Sequence, residues 1–157
     1  MLNPPRPQRR CNDRGIALIK QFEGLRLTSY YCTAGKCTIG YGHTGRDVKP
    51  GMTITEEKAE ELLRLDLRDA EAAVSRMVKA KISNDMFDSL VSLVFNCGEA
   101  NIAKSTLIRK LNAQDFLGAW SEFSKWVHAG GKISPGLIRR RAAEQDLFKP
   151  KRGDPLS

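Results

Sequence analysis

The 157-residue sequence has no apolar run approaching the roughly 20 residues that a bilayer-spanning helix needs. Its basic start, MLNPPRPQRRCND, leads into no apolar stretch, so neither a signal peptide nor a membrane anchor is expected, and the chain is expected to stay in the cytoplasm where it is made. The four cysteines, at 11, 32, 37 and 97, form no CxxC pair. Cys32 and Cys37 with His43 or His128 are the one combination that suggests zinc, and structural zinc favours closer ligand pairs, so no metal is expected and no cofactor is implied. Internal repeats and low-complexity segments are missing, which excludes a solenoid or a disordered chain. No zinc-finger or recognition-helix signature accompanies the basic residues, so a nucleic-acid partner is not expected.

What is present is the composition of a globular domain, 41% hydrophobic and 28% charged, long enough to bury a core without metal or disulfide staples. The net charge of +8 is concentrated at the ends: residues 1–14 carry +3 and residues 139–157 another +3. Basic ends on a balanced body suit a polyanion, whether nucleic acid, an anionic cell envelope or a membrane surface, or simply aid solubility. Five of the seven prolines lie in residues 4–7 and 150–155, outside the expected body. The division expected is a flexible basic arm over 1–12, one domain over 13–149 and a tail over 150–157.

Within that body, Ile16, Leu18, Ile19 and Phe22 repeat at helical spacing after the candidate caps Asn12 and Asp13. LTSYYC and KCTIGYGH flank the turn-prone Thr33-Ala34-Gly35 and read as a hairpin. A long helix is expected from about Thr55 to residue 80, with Glu56 and Glu57 at its positive end. A more apolar helix follows over Ser83 to Phe95, then helices near Ser105 to Leu111, Phe116 to Val127 and Pro135 to Leu147. The fold class is therefore α+β and mostly helical: a small mixed lobe over 13–54, a connecting helix over 55–80 and a helical lobe over 81–149. Two lobes on a connecting helix leave a cleft suited to an extended ligand.

The densest chemistry lies in FEGLRLTSYYCTAGKCTIGYGHTG, residues 22–45. Glu23 stands at a helix end near Phe22, Leu25 and Ile39, where an apolar wall would keep a carboxyl protonated and fit it for general acid work.

Glu23, Cys32 and Thr38 also match a spacing of Glu, eight residues, Asp or Cys, five residues, Thr, the last inside TIGYGH. With VFNCGEANIAKSTLIRKLN at 94–112 and WVHAGGKISPGLIRRRAAE at 126–144, the sequence resembles the phage-type lysozymes, the endolysins of glycoside hydrolase family 24, over essentially the whole body. The resemblance implies a lysozyme-like fold and hydrolysis of the β-1,4 bond between N-acetylmuramic acid and N-acetylglucosamine in peptidoglycan, with lysis of the host cell. It makes Glu23 the acid on the glycosidic oxygen, Cys32 the base or nucleophile, and Thr38 a holder of the attacking water or second group. Cys32 departs from the Asp version of the motif, and a thiol is largely protonated at neutral pH unless its surroundings lower its pKa.

The resemblance also implies that Phe95 lines the substrate cleft, with Tyr41 and Thr44 at its border. It implies a separate pore-forming holin to release a chain without an anchor, and a monomer, because a polymer-cleaving cleft must stay open. Cys32 and Cys37, across a short hairpin, could pair and mask the thiol, as in some membrane-anchored relatives. His43 is expected to make hydrogen bonds or ion pairs rather than bind a ligand. Of Arg139, Arg140 and Arg141, one is expected near Glu23 and the others on a solvated face. Trp120 and Trp126 are expected in the core on a helix, and Cys97 as a small buried apolar residue. Two other readings stay open: a lytic transglycosylase, which needs a single Glu, and a non-enzymatic basic protein that perturbs membranes.

Overall fold

The computed structural model describes residue 4 and residues 7–152. The arm and tail expectations for residues 1–3, 5–6 and 153–157 lie outside the described residues.

Helix α1, Asp13–Glu23, buries Ile16 and Ile19, the inward half of its apolar stripe. Asn12 stands at the N-cap as expected, its carbonyl accepting from the Ile16 amide at 3.0 Å, but its side chain makes no capping hydrogen bond. The Asp88 carboxylate, buried on a later helix, accepts hydrogen bonds from the Asn12 and Gly15 amides at 3.1–3.2 Å and so terminates the helix from a distance. The chain before it is tied to the same surface. The Cys11 amide donates to Glu71 Oε2 at 2.6 Å, and the Arg9 guanidinium stacks 4.6 Å from the Phe87 ring while donating to Ile82 O and Asn84 Oδ1. Residues 9–12, expected within the arm, therefore dock on the body.

Strands β1 (Arg26–Tyr31), β2 (Cys37–Gly40) and β3 (His43–Thr44) form an antiparallel sheet in that order. Tyr31 pairs with Cys37 and Tyr30 with Thr38, while Thr38 also faces Thr44 across β3. Beneath the sheet Ile39, Val48 and Leu62 make a small core of their own.

The connecting helix is two helices in tandem, α2 (Glu56–Asp66) and α3 (Arg68–Met77), a correction to the single span expected. Leu67 between them keeps a right-handed backbone, and the Glu71 amide still reaches Leu67 O at 2.9 Å. The buried stripe of Leu63, Leu67, Ala70, Ala73 and Val74 runs on across the junction.

Helix α4 (Asn84–Cys97) runs through the middle of the larger lobe, and all nine residues from Met86 to Val94 are buried. It packs on α1, on α3 and on α8 (Pro135–Phe148). Three short helices follow it: α5 (Glu99–Ala103), which packs on α4, then α6 (Thr106–Asn112) and α7 (Phe116–Glu122), which pack on each other, the last followed by a 3-10 turn at Phe123–Lys125. Phe123 and Phe148 are fully buried with ring centroids 5.1 Å apart, an aromatic pair worth about 0.5–1.5 kcal/mol beyond the area it buries. The helix expected to continue to Val127 stops at this turn. The chain then makes a hairpin, β4 (His128–Ala129) and β5 (Lys132–Ile133), around Gly130-Gly131. Ser134 caps α8 through the Leu137 amide, with Pro135 at its first position. Among the described residues no helix is long and apolar enough to cross a membrane.

Candidate active site

Glu23 is the last residue of α1. Gly24 follows it at φ +72°, its amide closing on Lys20 O at 3.1 Å, and this left-handed residue turns the chain into β1 and leaves the carboxyl at a helix end. The side chain is 23% exposed, and Oε1 accepts a hydrogen bond from Arg140 Nη1 at 2.8 Å. The neighbour of Glu23 is thus a cation, and the expectation of an apolar wall is corrected. Ile39 belongs instead to the separate core under the sheet. Phe22 lies beneath the same guanidinium, 5.9 Å from its carbon. On the other side stands Gly42, at φ +84°, where a methyl group would come 3.6 Å from Glu23 Oε2. The missing side chain keeps that oxygen approachable from the β2–β3 turn.

Glu23 and Arg140 line a cavity of about 820 Å³ together with Phe22, Asn96, Ser134 and Leu137. A second cavity of about 760 Å³ shares Asn96, Ser134 and Leu137 and extends to Asn101, Trp126 and His128, so the two form one groove along the start of α8. Trp126 follows the 3-10 turn rather than sitting on a helix, and it both packs on the core and lines this groove. Trp120 is anchored to α8 by Nε1 donating to Gln145 O at 3.0 Å.

Cys32 follows β1, with its amide donating to Lys36 O at 3.0 Å and Gly35 donating back to its carbonyl at 2.8 Å. Hydrogen bonds from the Lys36 backbone, the Thr38 hydroxyl and the Ala34 backbone hold its thiol below the ordinary cysteine range. Thr38 is buried, and its single hydroxyl proton has two acceptors, the Cys32 sulfur and Lys36 O at 3.0 Å. Cys32 and Cys37 are both free thiols.

The groove residues around Glu23 do not include Cys32, Thr38, Tyr41 or Thr44, which belong to the sheet, nor Phe95. Tyr41 packs on the main core, with Lys20 Nζ 5.6 Å above its ring, and Thr44 is exposed opposite Thr38. Phe95 lines a different, smaller cavity with Asp66, Asp69 and Glu99. His43 is held between carboxylates, with Nδ1 2.8 Å from Asp66 and Nε2 2.9 Å from Asp47. Burial pulls its pKa down, but those hydrogen bonds and charges outweigh burial and raise it.

Arg140 is the arginine expected near Glu23 and Arg139 is exposed as expected, whereas Arg141 departs from the solvated face expected of it. Arg140 and Arg141 are buried, and so is Glu144, which lies against both. Ser92 Oγ donates to Glu144 Oε2 at 2.5 Å, and Arg141 Nη2 donates to Asn96 Oδ1 at 2.7 Å. Cys97 is half-buried and its sulfur accepts from Arg141 Nη1 at 2.9 Å, so it is a polar partner rather than an apolar filler. Ser92 lies outside the motifs, and Gly42 and Glu144, though inside them, were marked by nothing local as neighbours of Glu23 or of the arginines. The available clue was spacing: positions 137, 140, 141, 144 and 148 fall on one helical face that ends in Phe148.

Comparison with known proteins places the chain in a family. The family model described as phage lysozyme matches residues 20–144. The endolysin of Acyrthosiphon pisum secondary endosymbiont phage 1 is 44% identical over 142 residues, covering 88% of this chain and 97% of that one. The endolysin of Salmonella phage P22 is 41% identical over 141 residues, covering 87% and 96%. A crystal structure of a P22 lysozyme mutant superposes with a TM-score of 0.85 at 39% identity, covering 90% of this chain and 99% of that one. The muramidase domain of SpmX from Asticaccaulis excentricus superposes at 0.82 with 35% identity, covering 89% and 97%. The groove with Glu23 at its edge therefore sits in a known frame: this chain belongs to the phage lysozyme family.

Proposed function

We propose that this glycoside hydrolase acts as a phage endolysin, cutting the β-1,4 bond between N-acetylmuramic acid and N-acetylglucosamine with Glu23 as the general acid. The observation that carries the proposal is the division of labour at the Glu23 carboxyl. Oε1 is fixed by Arg140, while the side of Oε2 faces the glycine at 42 and stays open to a ligand. A proton on Glu23 passes to the bridging oxygen, the C1–O bond breaks with its electron pair going to that oxygen, and C1 develops oxocarbenium character.

Cys32 supplies the second group. Its lowered thiol pKa puts more thiolate at neutral pH than an ordinary cysteine has, and the thiolate either takes a proton from the attacking water or bonds to C1 before water displaces it. The Thr38 hydroxyl steadies that sulfur or the water. Tyr41, Thr44 and Phe95 are proposed to border the bound glycan. The enzyme works as a monomer on the wall's peptidoglycan, is made in the host cytoplasm, and depends on a holin-type pore to reach its substrate. Its positive net charge favours the anionic envelope.

The test compares clearing of outer-membrane-permeabilised Gram-negative cells by wild type and Glu23→Gln from matched preparations. Clearing lost in the variant, with reducing muramic ends released by wild type, is expected. Equal clearing by both would refute the assignment of Glu23, and anhydro ends would make the reaction a transglycosylation.

A further inference from the structure

We infer that Glu144, which does not touch Glu23, is a positioning residue that sets the charge Arg140 presents to the acid. This inference rests on the assignment of Glu23 in the proposed function.

Glu144 has no solvent exposure, and two guanidiniums share it. Arg140 Nε lies 3.4 Å from Oε2, and Arg141 Nη2 is 3.3 Å from the same oxygen. Arg141 Nε stands 2.7 Å from Oε1 in a charge contact too poorly aligned to be a hydrogen bond. Ser92 Oγ donates to Oε2, and Arg140 Nη2 reaches Ser92 Oγ and Ser92 O at 3.3 and 3.4 Å. Burial raises the pKa of Glu144 and outweighs the pull of Arg141, Ser92 and Arg140 in the other direction, yet the geometry around the carboxyl is that of an anion. All of these neighbours are donors, the surroundings an ionised carboxylate requires.

The charges can then be counted. Two buried arginines and one buried carboxylate leave a single positive charge, and the one guanidinium nitrogen of this trio shown in contact with Glu23 is Arg140 Nη1. Arg141 is spent on Glu144, Asn96, Trp126 O and Cys97. Glu23 therefore closes the balance of the cluster when ionised and leaves it at one positive charge when protonated.

A general acid must hold its proton until the glycosidic oxygen takes it. Without Glu144 the cluster would face Glu23 with two positive charges and strip that proton at lower pH. Without Arg141 it would be neutral and the proton would be kept to higher pH. Other charged groups lie nearby. Arg139 and Asp146 line the same cavity from α8, Lys20 on α1 is paired with Glu60 of α2, and His43 of β3 is paired with Asp66 and Asp47. The β2–β3 turn offers Gly42, which is uncharged, and α4 offers Asn96. The uncharged thiol and its thiolate at Cys32 are the remaining titrating group of the mechanism and are the same in every variant below.

The experiment is the pH dependence of kcat/KM on purified peptidoglycan for wild type, Glu144→Gln, Arg141→Met and the double variant, with thermal melting of each. The limb that reports Glu23 is expected to move by about one pH unit to lower pH in Glu144→Gln and to higher pH in Arg141→Met. In the double variant it returns to the wild-type position. Limbs that coincide in all folded variants, with activity merely scaled down, would overturn the inference, because a purely structural role changes the amount of active enzyme and not its titration. If either single variant does not fold, the direction of the shift in the other decides alone. Glu23→Gln serves as the separate check: activity surviving in it refutes the acid assignment, whereas an inactive Glu23→Gln beside unmoved limbs refutes only the role of Glu144.

Discussion

Gly42→Ala isolates the space in front of Glu23. At φ +84° a side chain is strained, at a cost of about 1–2 kcal/mol, and the added methyl stands 3.6 Å from Glu23 Oε2. That is ordinary contact with the carboxylate, so the fold has no clash to relieve. The same methyl occupies one line along which a glycosidic oxygen would approach to the roughly 2.6–3.2 Å that proton transfer requires. Gly51 provides a matched control: it has φ +77° and nothing within 4 Å of where a methyl would go. Both alanine variants are expected to lose similar stability, about 2–4 °C in melting temperature for each kcal/mol in a chain of this size. Cell-wall clearing well below the melting range is expected to fall at least about tenfold in Gly42→Ala, a loss of at least about 1.4 kcal/mol in transition-state binding, and to stay near wild type in Gly51→Ala. Equal activity in the two variants would refute the idea that Oε2 is the working oxygen reached past residue 42.

Cys32→Ser is expected to abolish clearing and Cys32→Asp to retain much of it, because the position needs an anion that serine does not supply; serine matching wild type would remove Cys32 from the mechanism. The raised pKa of His43 means that the folded state binds the proton more tightly. The ion pairs with Asp66 and Asp47 contribute fully below about pH 6.5 and their stabilisation is lost as pH rises through the higher folded value. The melting temperature lost in His43→Gln should accordingly be larger at about pH 5.5 than at about pH 9, and a constant loss would contradict the pairing. Gly15→Ala would push a methyl inside contact with Cys11 Sγ and to 2.6 Å from Asp88 Cβ, displacing the carboxylate that caps α1. Denaturant unfolding should show a loss of about 1–3 kcal/mol or more, and an unchanged midpoint would mean that Asp88 does not hold the helix.

Local signals in the sequence carried the elements they could specify. Ser134-Pro135 marked the start of α8 and Thr33-Ala34-Gly35 the first hairpin, because capping and turn chemistry act within a few residues. The division at Leu67 left no such mark. No proline or glycine stands there, and the buried stripe continues through it, so one helix and two in tandem have the same pattern. Gly130 and Gly131 both adopt positive φ, the conformation of a tight hairpin turn, but the two-residue strands on either side are too short to alternate visibly.

The site divides along the same line. Glu23, Cys32 and Thr38 lie within one short segment and their spacing is readable, whereas the partner of Glu23 is 117 residues away. Composition favours exposure for three consecutive arginines, since charged residues are rarely buried without partners. Here the partners exist: Glu144 is one turn from Arg140 on the same helix, and Ser92 and Asn96 face it from α4. A charged stripe at the spacing of a core-facing helix edge is therefore better read as a buried network seeking its counter-charge. In this chain the counter-charge left over after Glu144 is satisfied is the carboxyl of Glu23, which is why a structural pairing on α8 bears on the chemistry at the end of α1.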